Sequence, residues 1–526
     1  MLPLPSLALN LAALLLLLVA CFVFYVKKTH VHWRRRGVPF LGPTQDIVLS
    51  RRNKSLTIQE RYRRLAPHPC GGAWLAAKPY LIVRDPQIVQ TVLIKAFSHF
   101  TDRGLIMPED IDPLSANLFN LSGDRWKNIR IKLIHSFSAV KLKSIFILLE
   151  ECTKVLDKYL QEKLKDAPEL EVRDMMMRFT IDVIGTCAFG FDCKTIFDAE
   201  SEFRRVGLKF APNWVRMALR EAVAAVHPRI VSWLNWKNIH PELEHFFTRV
   251  TEDTVRARNQ SPLKRKDFMQ LLINVQEEER RLLQEQDPKD QGYIIITNDI
   301  MRRYVSFSEP LFTDQILAGQ VFLFFVAGFE SSSITLSYCL YELALNPDIM
   351  DKLHDEIHQV LDARDGKLDY DTFKEMPYLE CVIYETLRKY PTLGWLDRIC
   401  TKTFEDPNSS LVIDENTNVI IPVYALHHDP QYFPNPQKFD PERFNAENKS
   451  SIVPGTYLPF GAGPRICVGM RFALLEIKAA LTLIIGKYTV HPTERTPVPV
   501  KFQHRAFFNI SNQGLHLRFK ERPKVA

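Results

Sequence analysis

At 526 residues, with 46% hydrophobic and 25% charged residues, the chain can bury a large core and is neither disordered nor fibrous. A formal net charge of +7, much of it just behind the N-terminal segment, does not indicate a nucleic-acid-binding protein. The nine cysteines are irregularly spaced and include no C-x-x-C pair. That excludes a zinc ribbon and a thioredoxin motif, disfavours a disulfide framework and suits a reducing compartment.

The first 26 residues carry no charge, and residues 7–26 are almost wholly apolar. Twenty helical residues rise about 30 Å, the thickness of a bilayer's hydrocarbon core. A cleaved signal peptide is the weaker reading, because no basic stretch precedes the apolar run. Residues 1–26 are therefore expected to form a transmembrane signal-anchor. Lys27, Lys28, Arg34, Arg35 and Arg36 follow it, which places the rest of the chain in the cytosol. The six N-x-S sequons, Asn448 among them, would then never meet the glycosylation machinery. Residues 27–45 read as a basic, Pro/Gly-rich linker, and residues 46–526 as one catalytic domain.

Strand-like runs lie near both ends, at 73–77, 80–83, 418–423 and 515–520. Between them, apolar periodicity predicts helices over 140–162, 169–189 and 242–258, with two more across 199–236 broken near Pro212. A short β-type run, 293–297, sits in a charged excursion. The segregation of strands from helices predicts a mainly α (α+β) domain with a dominant helical half.

The longest predicted helix starts at Thr313, a suitable N-cap with Asp314 in the first turn, and runs to Asn346-Pro347. At roughly 30 residues it would span about 45 Å, and residues 317–327 are apolar nearly all round, as for a helix crossing the interior. In its middle stands Ala327-Gly328-Phe329-Glu330-Ser331-Ser332-Ser333. A glycine there costs about 1 kcal/mol relative to alanine, so the position is expected to need room.

The most specific run is Phe460-Gly461-Ala462-Gly463-Pro464-Arg465-Ile466-Cys467-Val468-Gly469, followed by an apolar helix from Met470. Glycines and a proline put Cys467 on a tight loop, and a following helix N-terminus and nearby Arg465 favour a thiolate able to ligate a metal. Two further patterns are Glu385-x-x-Arg388, which share a helix face, and Arg443 within Pro441-Glu442-Arg443-Phe444. Trp126 and Arg130 lie one helical turn apart.

Together these runs resemble the cytochrome P-450 family, over almost the whole chain and in the family's order. The resemblance implies haem b (iron protoporphyrin IX) with Cys467 as the iron ligand and Phe460 beside it. It implies that Trp126, Arg130, Arg398 and Arg465 hold the haem propionates, and that Glu385, Arg388 and Arg443 form a buried structural network. Glu330 and Ser331 stand where the family has its oxygen-activating acid and hydroxyl, with serine in place of the usual threonine. Family position puts substrate-pocket walls at Phe324, Ala327, Leu393, Trp395 and Phe507, with further wall segments at 106–119, around Phe210, at 324–329 and at Phe508.

The implied activity is NADPH- and O2-dependent hydroxylation of a lipophilic small molecule: a xenobiotic, an insecticide, or an endogenous hormone or fatty acid. A haem-thiolate isomerase or dehydratase and a non-catalytic haem sensor are the alternatives. The chain has no dinucleotide fingerprint, so electrons would come from a membrane-bound NADPH-cytochrome reductase, with cytochrome b5 as a further candidate. Lys127, Lys132, Lys141 and Lys143 could form part of an acidic partner's docking face or simply a solvated helix face; both readings stay open. The location implied is the endoplasmic reticulum membrane. The runs at 100–104 and 265–272 look like the insect branch related to vertebrate drug-metabolising enzymes.

Overall fold

The computed structural model describes residues 52–523, except 76–77, 105–106, 211–218, 221–222, 225–226, 263–264, 266, 286–293, 296–303, 306–311 and 505. It also describes 31–43 and scattered positions from 13 to 28. Much of the expected anchor thus lies outside the described residues. Its described positions are helical, with Leu16, Leu17, Val19, Val23 and Phe24 exposed.

Ten helices of eleven residues or more are present among the described residues. They are α1 Lys54–Arg64, α2 Gly123–Ile134, α3 Ala139–Asp166, α4 Val172–Ile184, α5 Pro241–Gln260, α6 Phe268–Glu285, α7 Asp314–Leu345, α8 Pro347–Asp362, α9 Pro377–Lys389 and α10 Met470–Lys487. The strands that matter are β1 Phe40–Pro43, β2 Cys70–Leu75, β3 Lys78–Val83, β4 Glu169–Glu171, β5 Leu396–Ile399, β6 Asn418–Ile421, β7 Tyr488–Pro492 and β8 His516–Glu521. One sheet has the order β1-β2-β3-β6-β5, and a second has β7-β8-β4. The mainly α (α+β) expectation holds.

Helix α7 is the axis of the core. Thr313 caps it, accepting from the Ile316 amide at 3.2 Å, and Pro347 opens the next helix. It is long and apolar enough to cross a membrane, yet most of that apolar stretch is packed inside the domain. The room expected at Gly328 is taken by α4: a Cβ there would sit 2.7 Å from Ile184 Cδ1.

Two local expectations change. Residues 169–189 do not form one helix. Residues 169–171 pair with β8, and the Glu171 carboxylate caps α4 by accepting from the Arg173 and Asp174 amides at 3.1 and 2.6 Å. The strand exists because a segment near the other end of the chain pairs with it. The residues read as a linker also join the domain. Trp33 is buried and donates from Nε1 to the Ala73 carbonyl at 3.1 Å, and Phe40–Pro43 adds an edge strand parallel to β2. Ile294–Ile295 of the charged excursion does pair, with Tyr304–Val305.

Candidate active site

A cavity of about 890 Å³ lies between α7, the start of α10 and the β5–β6 edge of the first sheet. Cys467 opens onto it from the loop before α10. The loop takes its shape from two glycines at positive φ, Gly461 (+74°) and Gly463 (+71°). No other residue fits at Gly463, where a Cβ would come within 1.9 Å of the Leu93 carbonyl oxygen. The Cys467 amide donates to the Phe460 carbonyl at 2.9 Å, closing the loop under the thiol.

Cys467 lies deep in the protein but keeps accessible surface, because that surface is cavity wall. Burial pushes its thiol pKa up. The amides of Gly469 and Met470 and the charges of Arg130 and Arg103 pull the other way, which is the setting for a thiolate once a cation faces it.

Four guanidiniums crowd the same wall: Arg103, Arg130, Arg398 and Arg465. Arg465 lies 4.1 Å from the Trp126 ring centroid and donates to the carbonyls of Thr101 (2.6 Å) and Leu121 (2.8 Å). Arg130 donates to the Ile466 carbonyl at 2.6 Å, and Arg398 to that of Asp397 at 2.7 Å. Burial and mutual repulsion push Arg103 and Arg465 down to about 9. Arg398 Nε and Arg465 Nη1 are buried without an acceptor among the described residues. Such a cluster fits a ligand bearing two anionic groups. Sequence reasoning missed Arg103, which stood in a run noticed only for its branch affinity; only three-dimensional packing brings it beside Arg398.

Behind the cysteine loop, Arg388 donates bidentately to Glu385 at 2.7 and 2.8 Å, both side chains being fully buried. Arg443 Nε stands 3.6 Å from the same carboxylate, and its Nη2 donates to the Pro434 and Asn435 carbonyls. His427, also missed from the sequence, joins this network to the loop. Its Nε2 accepts from the Leu458 amide at 2.8 Å, so Nδ1 carries the proton given to the Arg388 carbonyl at 3.1 Å.

On α7, Ser331 lines the cavity and donates to the Ala327 carbonyl at 2.7 Å. Glu330 does not line it: its carboxylate accepts from Arg173 of α4 at 2.6 Å. Burial raises its pKa, and Arg173 offsets part of that rise. Phe324, Ala327, Leu393, Trp395 and Phe507 all form cavity wall, as do Phe119, Phe210 and Phe508; Phe325 and Phe329 face the core instead. The segment 105–106 lies outside the described residues.

The roof is tied by Asp112. It accepts from the Asn238 and Ile239 amides at 3.0 Å and pairs with Arg220 at 3.5 Å. Of the lysines considered for docking, Lys132 and Lys143 are engaged, with Glu279 at 2.8 Å and Asp371 at 2.6 Å.

Comparison with known proteins agrees with this geometry. The cytochrome P-450 family model matches residues 36–517. The chain is 36% identical to cytochrome P-450 6k1 of Blattella germanica, over 96% of this chain and 95% of that one. It is 36% identical to cytochrome P-450 9e2 of the same insect, over 93% and 92%. It is also 36% identical to probable cytochrome P-450 6a13 of Drosophila melanogaster, over 98% and 100%.

Proposed function

Since this chain belongs to the cytochrome P-450 family and is a haem-thiolate monooxygenase, we propose that it hydroxylates lipophilic small molecules with NADPH-derived electrons at haem b held by Cys467. The observation that carries this reading is one wall on which a loop cysteine and four guanidiniums face the same cavity. Arg103, Arg130, Arg398 and Arg465 would hold the propionates, with Trp126 packed under Arg465 and Phe460 beside the loop. When bound, the haem would supply the oxygen chemistry, and the Cys467 thiolate would be the ligand that donates to it.

The chain's own part is position, dryness and protons. Aromatic walls at Phe119, Phe210, Phe324 and Phe507 exclude water and favour an apolar ligand. Asp112 keeps the roof closed. Ser331 is the hydroxyl placed to hold a proton on the cavity side. Glu330 can serve it only when its pair with Arg173 opens. We further place the protein in the endoplasmic reticulum membrane by an anchor at 1–26, its domain cytosolic, drawing electrons from an NADPH-cytochrome reductase and, as a second donor, cytochrome b5. The uncharged run before a basic cluster supports this topology.

Reduced protein under carbon monoxide should show the red-shifted Soret band of a thiolate-ligated haem, and Cys467→Ser should lose it. An unchanged band in the variant would sink the assignment. Glycosylation at Asn448 would overturn the topology.

A further inference from the structure

No described residue of α8 lines the cavity, yet this helix carries the sequence His354-Asp355-Glu356-Ile357-His358. At i and i+4 the two imidazoles share a helix face, and their ring centroids stand 5.1 Å apart. Leu353 and Ile357 are fully buried and hold the helix against the core, while the two rings keep access to solvent. Each ring has one nitrogen fixed. His354 Nδ1 donates to the Asp355 carboxylate at 3.3 Å, and His358 Nδ1 donates to that of Asp362 at 3.1 Å. A carboxylate only accepts, so Nδ1 carries the hydrogen, and in the neutral ring Nε2 keeps its lone pair. Neither Nε2 has a hydrogen-bond partner among the described residues.

A histidine that binds a metal through one nitrogen commonly gives the other N–H to a carboxylate, which fixes the tautomer and raises the basicity of the ligand. Both rings here are held that way. The spacing fits as well: an ion about 2.0–2.1 Å from both Nε2 atoms, at a near-tetrahedral angle, keeps the ring centroids about 5 Å apart. The charges nearby also favour a cation. The last turn of α8 holds no basic residue, and the carbonyl end of a helix attracts positive charge. Arg522 acts on His354, but its charge is taken by Asp351 at 3.0 Å, and Lys352 is paired with Glu442 at 2.6 Å.

We propose that His354 and His358 form a surface site for a divalent transition ion such as Zn2+, ligated by the two Nε2 atoms and completed by water. No third histidine, cysteine or carboxylate joins them as a ligand among the described residues, so the remaining positions stay open and the ion exchanges. Imidazole ligands select zinc, copper or nickel over magnesium or calcium. The site is separate from the haem reading and does not depend on it. Its place in the fold gives it a consequence. Glu356, between the two histidines in sequence, accepts from the Tyr378 and Leu379 amides at 2.7 and 2.8 Å and so holds the start of α9. A bound ion braces two turns of the helix from which that carboxylate reaches.

The test is calorimetric titration of Zn2+ into the full-length, untagged holoenzyme, first stripped of loosely held metal with a chelator. The wild type should take up an ion at a saturable site in the micromolar range, and Mg2+ should give no such binding. His354→Gln and His358→Gln should each weaken that site at least tenfold. Both changes fall on solvent-accessible rings, so circular dichroism and the zinc-free Tm should match the wild type. Asp362→Asn leaves both imidazoles in place and removes only the charge behind one of them; it should weaken binding by about tenfold. No saturable uptake by the wild type overturns the proposal. So does uptake that is equal in the wild type and both histidine variants, which would assign the ion to thiols or to other surface groups. Asp362→Asn binding as tightly as the wild type overturns the role given to the carboxylates, and with it the argument that the rings are set for a metal.

Discussion

Ser331 and Glu385 stand at opposite ends of a scale of tolerance. Ser331 has spare room on one side and one hydrogen bond, to Ala327. Ser331→Ala should fold normally but divert electrons to peroxide, lowering product per NADPH. Ser331→Thr keeps the hydroxyl with a stiffer rotamer and should hold that ratio. Glu385 has no room. Its carboxylate serves Arg388, Arg443 and the Asp440 amide. Glu385→Gln leaves a buried guanidinium short of its counter-charge and should cost about 3–5 kcal/mol, read as a lower Tm and a lower haem content on purification. The sequence made Cys467, Glu385 and Arg388 legible because their partners lie within a few residues or within a recognisable run. Arg103, Arg173 and His427 were not legible in these roles. Each gains its role from a residue far away in the chain, such as Arg398, Glu330 or Leu458, and no local spacing reports such a meeting.

Among elements, α7 tests how closely helices pack at glycine. At Gly328 an added methyl meets the tip of Ile184, a side chain that can move. At Gly319 it would come 2.6 Å from the backbone carbonyl oxygen of Ala116, which cannot. Alanine gains up to about 1 kcal/mol in helix propensity, whereas overpacking costs about 1–3 kcal/mol. Gly319→Ala should therefore lower Tm more than Gly328→Ala, and Ile184→Ala should relieve the second defect but not the first. Long elements such as α3, α5 and α7 were readable from their periodicity and caps to within a few residues. The strands β1 and β4 were not. Four residues rich in Pro and Gly, and three at the head of a helical pattern, become strands only because β2 and β8 offer them edges.

At the scale of the whole molecule, burial keeps two histidines of the interior from taking up protons. Burial pushes His428 down to about 3, and His427 well below its ordinary value. Both rings stay neutral in the fold, while the unfolded chain binds protons below about 6.5. Stability is therefore complete above pH 6.5 and falls as pH drops toward 3, by up to about 1.4 kcal/mol per pH unit for each ring. Thermal unfolding should show this decline between pH 6.5 and 5, and His428→Asn should flatten it. The first sheet has a consequence of another kind, in time. Its register sets Tyr80 beside Asn418, so strands made early wait for strands made late. At ribosomal speeds of about 5–20 residues per second that delay is on the order of tens of seconds. Throughout it β3 carries an open edge, and Cys467 has yet to be synthesised. Half-made chains thus have neither the sheet that walls the pocket nor the cysteine proposed to hold iron. Loading of the proposed cofactor must therefore wait until most of the chain is made, and the nascent N-terminal half is the stage at which a chaperone has the most to protect.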